Sequence, residues 1–147
     1  MVTEAAGRAA VASRSQGRCE VCGIRLATTW SHRKRRGQGG TWSPANGLHS
    51  CGDGTTGCEG AITAHRDPLT GEPADVFALG LQVRSGDDPA NVPVRLVHPV
   101  YGAGWWWLNE DGTMSWASVG DMAWQPPRRG EQLATYKHAR VVRTVQP

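Results

Sequence analysis

The segments Cys19-Glu20-Val21-Cys22-Gly23 and Cys51-Gly52-Asp53-Gly54-Thr55-Thr56-Gly57-Cys58 hold all four cysteines of the chain. In the first, two residues separate the sulfurs and a glycine comes next. This is the tight turn on which two thiols face one point. In the second, six residues separate the sulfurs, but three of them are glycines, so the insert can loop out and both sulfurs still converge. Read together, Cys19, Cys22, Cys51 and Cys58 are the ligands of a structural Zn2+ ion. Four thiolates close the tetrahedron and leave no open position for catalysis. The plain alternative is four buried free thiols at chance spacing.

The composition agrees with a stapled small domain. The chain has 147 residues, 39% apolar, with 19 glycines and 9 prolines. That predicts one compact domain plus tails, rich in turns, with a core small enough to need a metal or disulfides. No run approaches the roughly 18 apolar residues of a membrane span. Met1 to Gly17 is Ala-rich, carries Glu4, Arg8 and Arg14, and lacks the apolar stretch of a signal peptide. A cytoplasmic protein is expected, with no membrane partner, and in a reducing compartment the cysteines read as metal ligands.

Outward from the cysteines, residues 3–15 read as an Ala-rich helix ended by Gly17. Leu26 to His32 reads as a strand. Arg33-Lys34-Arg35-Arg36-Gly37-Gln38-Gly39-Gly40 is a basic, glycine-rich loop, and Gly47 to Ser50 is a second short strand. Cys58 to Arg66 reads as a short helix stopped before Pro68, and Glu72 to Leu79 as one more helix with Pro73 in its first turn. Val92 to Val97 alternates around Pro93 like an edge strand. Trp105 to Leu108, the turn Asn109-Glu110-Asp111-Gly112, and Thr113 to Ser118 read as a β-hairpin. The expected fold class is α+β: an N-terminal helix or arm over 1–18, a core over 19–80, a hairpin extension over 81–120 and a basic tail over 121–147.

Charge is uneven although the net charge is only +3. Basic residues concentrate between Arg14 and Arg36 and again between Arg128 and Arg143, a pattern that suits phosphate contact or a solvated surface equally.

The run CEVCG…TTWSHRKRRGQGGTWSPANGLHSCGDGTTGCEGAITAHR, from Cys19 to Arg66, resembles HNH endonucleases of the ββα-metal, or His-Me finger, fold. It is similar in particular to the compact zinc-hairpin members of actinobacteria and their phages. The stretch Phe77 to Val94, with ALGLQVRSGDDPANVPV, resembles the segment on the C-terminal side of the motif in those proteins. The resemblance spans roughly Cys19 to Val94. It implies a ββα-metal core and divalent-metal-dependent hydrolysis of DNA phosphodiesters inside a bacterial host cell. His32 would be the general base, at the end of the first strand, and Asn46 would hold the loop and help orient it. Glu59 would bind the catalytic Mg2+ or Mn2+ from the first turn of the helix, where the family usually has His. Ser31 stands where a second ligand, Asp or His, is common. His65 is an alternative terminal ligand. Arg33, Lys34, Arg35 and Arg36 would meet the backbone of double-stranded DNA, positioning it without reading sequence. Phage relatives often act beside the terminase, so a terminase is an implied partner. The alternative is a zinc-stapled DNA-binding or terminase-accessory protein, catalytically degenerate at Ser31 and Glu59. For Trp105 to Trp107, hairpin packing competes with base stacking.

Overall fold

The structure, a computed structural model, describes residues 1–119 and 141–145. The elements run α1 (Glu4–Ser15), β1 (Thr29–His32), β2 (Gly47–Ser50), α2 (Gly57–Thr63), β3 (Val94–His98), β4 (Gly102–Leu108), β5 (Met114–Val119) and β6 (Val141–Val145). Two antiparallel sheets result: β1–β2, and a second in the order β3–β4–β5–β6. The expected α+β class is observed. No helix among the described residues is long and apolar enough to cross a membrane.

Local chemistry explains the element ends. Thr3 caps α1 by accepting the Ala6 N–H at 3.1 Å, Glu4 and Arg8 pair one turn apart at 3.0 Å, and Gln16 leaves the helix in the left-handed region. These are ordinary helix-ending devices. The β4–β5 hairpin turns where the sequence places it. Asn109 N–H donates to Thr113 O, the Asp111 carboxylate accepts the Thr113 N–H, and Gly112 supplies φ +88°.

α1 is not a loose arm. Val11 is fully buried, and Gly7 lies so close to Trp42 that a Cβ there would stand 2.1 Å from its carbonyl oxygen. Nor is the hairpin an appendage. Cys19, Cys51, Cys58 and Leu48 share one hydrophobic core with Leu96, Trp106, Leu108 and Met114. Trp106 is the centre of the tryptophan run and is completely buried. It meets its cross-strand partner Trp116 edge to face, with ring centroids 4.8 Å apart, an arrangement worth about 1 kcal/mol beyond its buried area. For this residue packing prevails over base stacking.

Three sequence expectations are corrected. The first strand starts at Thr29 rather than Leu26, which is exposed and only bridges to Arg18. The helix expected over Glu72–Leu79 is absent. Pro73 bridges instead to Arg66, and the Asp75 carboxylate accepts the N–H groups of Phe77 and Ala78, bending the chain into a turn. Finally, α2 ends at Thr63, and His65 adopts φ +57°. Of the expected basic tail, Val141–Val145 pairs with β5 as the outer strand. The remainder of that tail, including Arg128, Arg129, Lys137 and Arg140, lies outside the described residues.

Candidate functional site

The sulfurs of Cys19, Cys22, Cys51 and Cys58 all lie within 4.8 Å of one another. The knuckle geometry is present on both sides. Cys22 N–H points at Cys19 Sγ at 3.5 Å and Cys58 N–H at Cys51 Sγ at 3.4 Å. Gly52 and Gly57 bring the second pair together with φ +83° and +64°. A hydrogen bond from Cys58 pulls the Cys19 thiol down to about 5, while the same bond and burial push Cys58 up. Burial, first of all, raises Cys51. Four sulfurs this close cannot all ionise unaided, so a cation among them is the natural source of compensation. The donor set and spacing fit a zinc ion, and these four cysteines could hold one. Among the described residues no other set of three or more His, Cys, Asp or Glu side chains converges in this way.

The β1–β2 hairpin carries the other expected residues. Its register pairs Trp30 with His49, Ser31 with Leu48 and His32 with Gly47, and paired residues share a face while neighbours alternate. One face holds Trp30, His32 and His49 and looks toward α1. There Trp30 Nε1 donates to Gly7 O, and Ser15 Oγ and His49 Nδ1 lie 2.7 Å apart. The Trp30 indole lies over Gly47, whose hypothetical Cβ would be 2.1 Å from the ring, so this position requires glycine. The other face holds Thr29, Ser31, Leu48 and Ser50. Here Ser50 Oγ donates to Glu59 Oε2 at 3.1 Å. Glu59 therefore shares the face of Ser31, and His32 lies on the opposite one.

His32 is edge-on to both Trp30 and Trp42, at 4.8 and 4.5 Å between centroids. Its Nε2 is buried with no hydrogen-bond partner. Burial first, then the nearby Arg36 and Arg8, lowers its pKa from the ordinary 6.5, which keeps the imidazole neutral around neutral pH. Arg8 and Arg36 also approach the Trp42 ring, at 4.9 and 5.7 Å.

Asn46 is buried and fastens both sides of the basic loop. Its Oδ1 accepts the Lys34 N–H at 2.7 Å, and its Nδ2 donates to Lys34 O and Thr41 O, each at 3.0 Å. Its main-chain carbonyl also accepts the Arg33 N–H. The basic run itself divides. Arg33 is buried, and its guanidinium donates to the carbonyls of Gly80, Ala45, Pro89 and Val92. The expectation that it contacts DNA is therefore corrected: these carbonyls hold it inside. Lys34 is half-buried and reaches Asp87 O, whereas Arg35 and Arg36 are exposed around a short 3-10 turn at Arg36–Gln38.

Glu59 is half-buried on the first turn of α2, and its Oε1 takes no hydrogen bond among the described residues. That oxygen is available to a cation. His65, past the end of α2, is exposed and lies 6.1 Å from the Phe77 ring.

Sequence reasoning missed a buried ionic cluster. Glu20, inside the cysteine knuckle, accepts from Arg14 Nε at 2.7 Å and Arg14 NH2 at 2.9 Å, and meets His98 Nε2 at 2.9 Å. Arg14 donates further to Pro44 O and Gly47 O. The only sequence hint was a charged residue inside the C-x-x-C turn. No family model, no curated protein and no solved structure matches this chain.

Proposed function

We propose that this chain is a divalent-metal-dependent DNA endonuclease of the HNH type, built on a zinc-stapled frame. The observation that carries the reading is the fastening of the basic loop by Asn46. It spans Lys34 and Thr41 with three side-chain hydrogen bonds, the loop-holding role the resemblance gives that residue. Further support comes from the order β1, basic loop, β2, α2. His32, a neutral imidazole whose unpartnered Nε2 is buried beside Trp30 and Trp42, would be the base once DNA binding admits water to it. Glu59 would hold Mg2+ or Mn2+ with Ser31 on the same face, and a bound ion supplies charge neutralisation at the phosphate. Arg35 and Arg36, with Lys34, bind the backbone of double-stranded DNA, and a phage terminase is the assembly beside which such an enzyme works.

A second reading has its own observation. His32 and Glu59 lie on opposite faces of the β1–β2 hairpin, an arrangement that favours a DNA-binding or terminase-accessory protein in which the cutting centre has decayed. Plasmid cleavage with Mg2+, Mn2+ or Ni2+ separates the two. The nuclease reading expects nicking by wild type that is lost in both His32→Ala and Glu59→Ala. Inert wild type that still shifts duplex DNA establishes the accessory reading instead.

A further inference from the structure

We propose that a cavity beside the basic loop is a phosphate subsite. It has a volume of about 210 Å3 and is lined by Arg33, Arg35, Gln38, His65, Phe77 and Gln82. No carboxylate lines it. Two guanidinium groups, an imidazole and two amides surround the space, so the walls offer many N–H donors and a positive field. Arg33 contributes charge although its donors are already committed to carbonyls.

Two side chains give the cavity donors that no other group among the described residues takes up. Gln82 is 8% exposed, yet its side-chain amide makes no hydrogen bond among the described residues. That amide is not among the sealed unpartnered polar atoms, so the surface it keeps is open to a ligand in the cavity. His65 has φ +57°, held there by the hydrogen bonds Ala74 N–H to His65 O at 3.0 Å and His65 N–H to Ile62 O at 3.1 Å. This is the left-handed turn by which the chain leaves α2, as it leaves α1 at Gln16. Here it brings the imidazole to the rim of the cavity, beside Phe77.

The charge decides the ligand class. The resemblance makes His65 an alternative metal ligand, but with Arg33 and Arg35 on the same walls and no acid present, a metal cation is disfavoured and an anion favoured. A phosphate group suits the number and variety of donors. Its source is either the backbone of bound DNA, which rests on the nucleic-acid reading, or a free mononucleotide.

The test uses the full chain, isotopically labelled, and tracks the Gln82 side-chain amide and the His65 ring by NMR. Inorganic phosphate, thymidine 5′-monophosphate and a 20-base-pair duplex are titrated separately. Shifts of both residues with all three place a backbone phosphate in the cavity. Shifts with the two small anions, with no duplex binding, leave the subsite standing and overturn the nucleic-acid reading. Duplex binding with both resonances still, or no response to any anion, overturns the subsite. Gln82→Met preserves volume and His65→Gly relieves the backbone, so both variants should fold. Each is expected to weaken phosphate binding by about 3- to 10-fold, the value of one hydrogen bond, with the melting temperature of His65→Gly no lower than wild type. Unchanged affinity in both folded variants also overturns the subsite.

Discussion

Arg14 and Glu20 form a two-pronged ion pair, at 2.7 and 2.9 Å, whose side chains are 1% and 0% exposed. It ties the last turn of α1 to the cysteine knuckle, and His98 extends it to the end of β3. Burial alone would raise the Glu20 carboxyl. The Arg14 charge, the His98 and Arg14 hydrogen bonds and the His49 N–H outweigh it and hold the pKa at about 2. A carboxylate depressed in the folded state stabilises fully above its ordinary pKa near 4.5, and that contribution fades as pH falls from 4.5 toward 2. Its size is on the order of 3 kcal/mol. His32 and His49 act at higher pH. Burial lowers both below 6.5, so protonation favours the unfolded chain and stability declines as pH drops through 6.5. Melting temperature against pH should therefore fall in two steps on acidification. Glu20→Gln should lower stability at pH 7 by about 3–5 kcal/mol and erase the more acidic step. An unaltered acid limb in that variant contradicts the assignment.

The division of the basic run gives a second expectation. Arg33→Met leaves four carbonyls without their donor and should unfold or severely destabilise the chain, since breaking a buried charged network costs several kcal/mol. Arg35→Ala and Arg36→Ala should leave melting temperature within about 2 °C and weaken duplex binding. Each should reduce the slope of log affinity against log salt by about 0.9. Fluorescence anisotropy at several salt concentrations measures this, and identical slopes for wild type and both variants would remove these residues from the interface.

Asn46 supports a third. Asn46→Ala strands the Lys34 N–H and the carbonyls of Lys34 and Thr41, at a cost of roughly 2–4 kcal/mol. Asn46→Asp keeps the acceptor but aims a negative oxygen at two carbonyls, so it should be no better. Limited proteolysis should cut both variants inside residues 33–46 while sparing wild type. Equal resistance would mean that the loop is held by something else.

Metal removal is the fourth. Purified protein should carry about one equivalent of zinc by plasma mass spectrometry, and Cys58→Ser should lose it. A chelator should lower the melting temperature by tens of degrees, because structural-zinc binding energy is folding energy in small domains. A metal-free preparation with the wild-type melting curve would refute the zinc frame.

How much the sequence disclosed depends on the range of the interactions. The cysteine turns, the end of β1 at His32, the position of β2 and the β4–β5 hairpin are encoded within a few residues, by glycine placement and alternation, and were legible. The roles of Arg14, Arg33 and Glu20 depend on partners far along the chain. Arg33 bonds to Val92 and Glu20 to His98, separations of 59 and 78 residues, so a basic run that reads uniformly as DNA-facing contains one side chain turned inward. The helix expected over Glu72–Leu79 failed because Asp75 offered the backbone a competing turn. The separation of His32 from Glu59 was hidden for a different reason. Spacing fixes which residues approach the hairpin, but only the register decides on which face each one emerges.

The core that runs from the cysteines to Trp106 and Met114 carries a consequence for how the molecule comes apart. A cysteine-clamped half and a sheet half that were independent would melt separately and tolerate exchange like cassettes. Sharing one interior denies them both freedoms. Unfolding should be a single transition in which metal loss frays the tryptophan sheet, and a chain break near Pro99 ruins the distant cysteine knuckle with equal effect. Equilibrium denaturation monitored by tryptophan fluorescence and by zinc release should give superimposable curves.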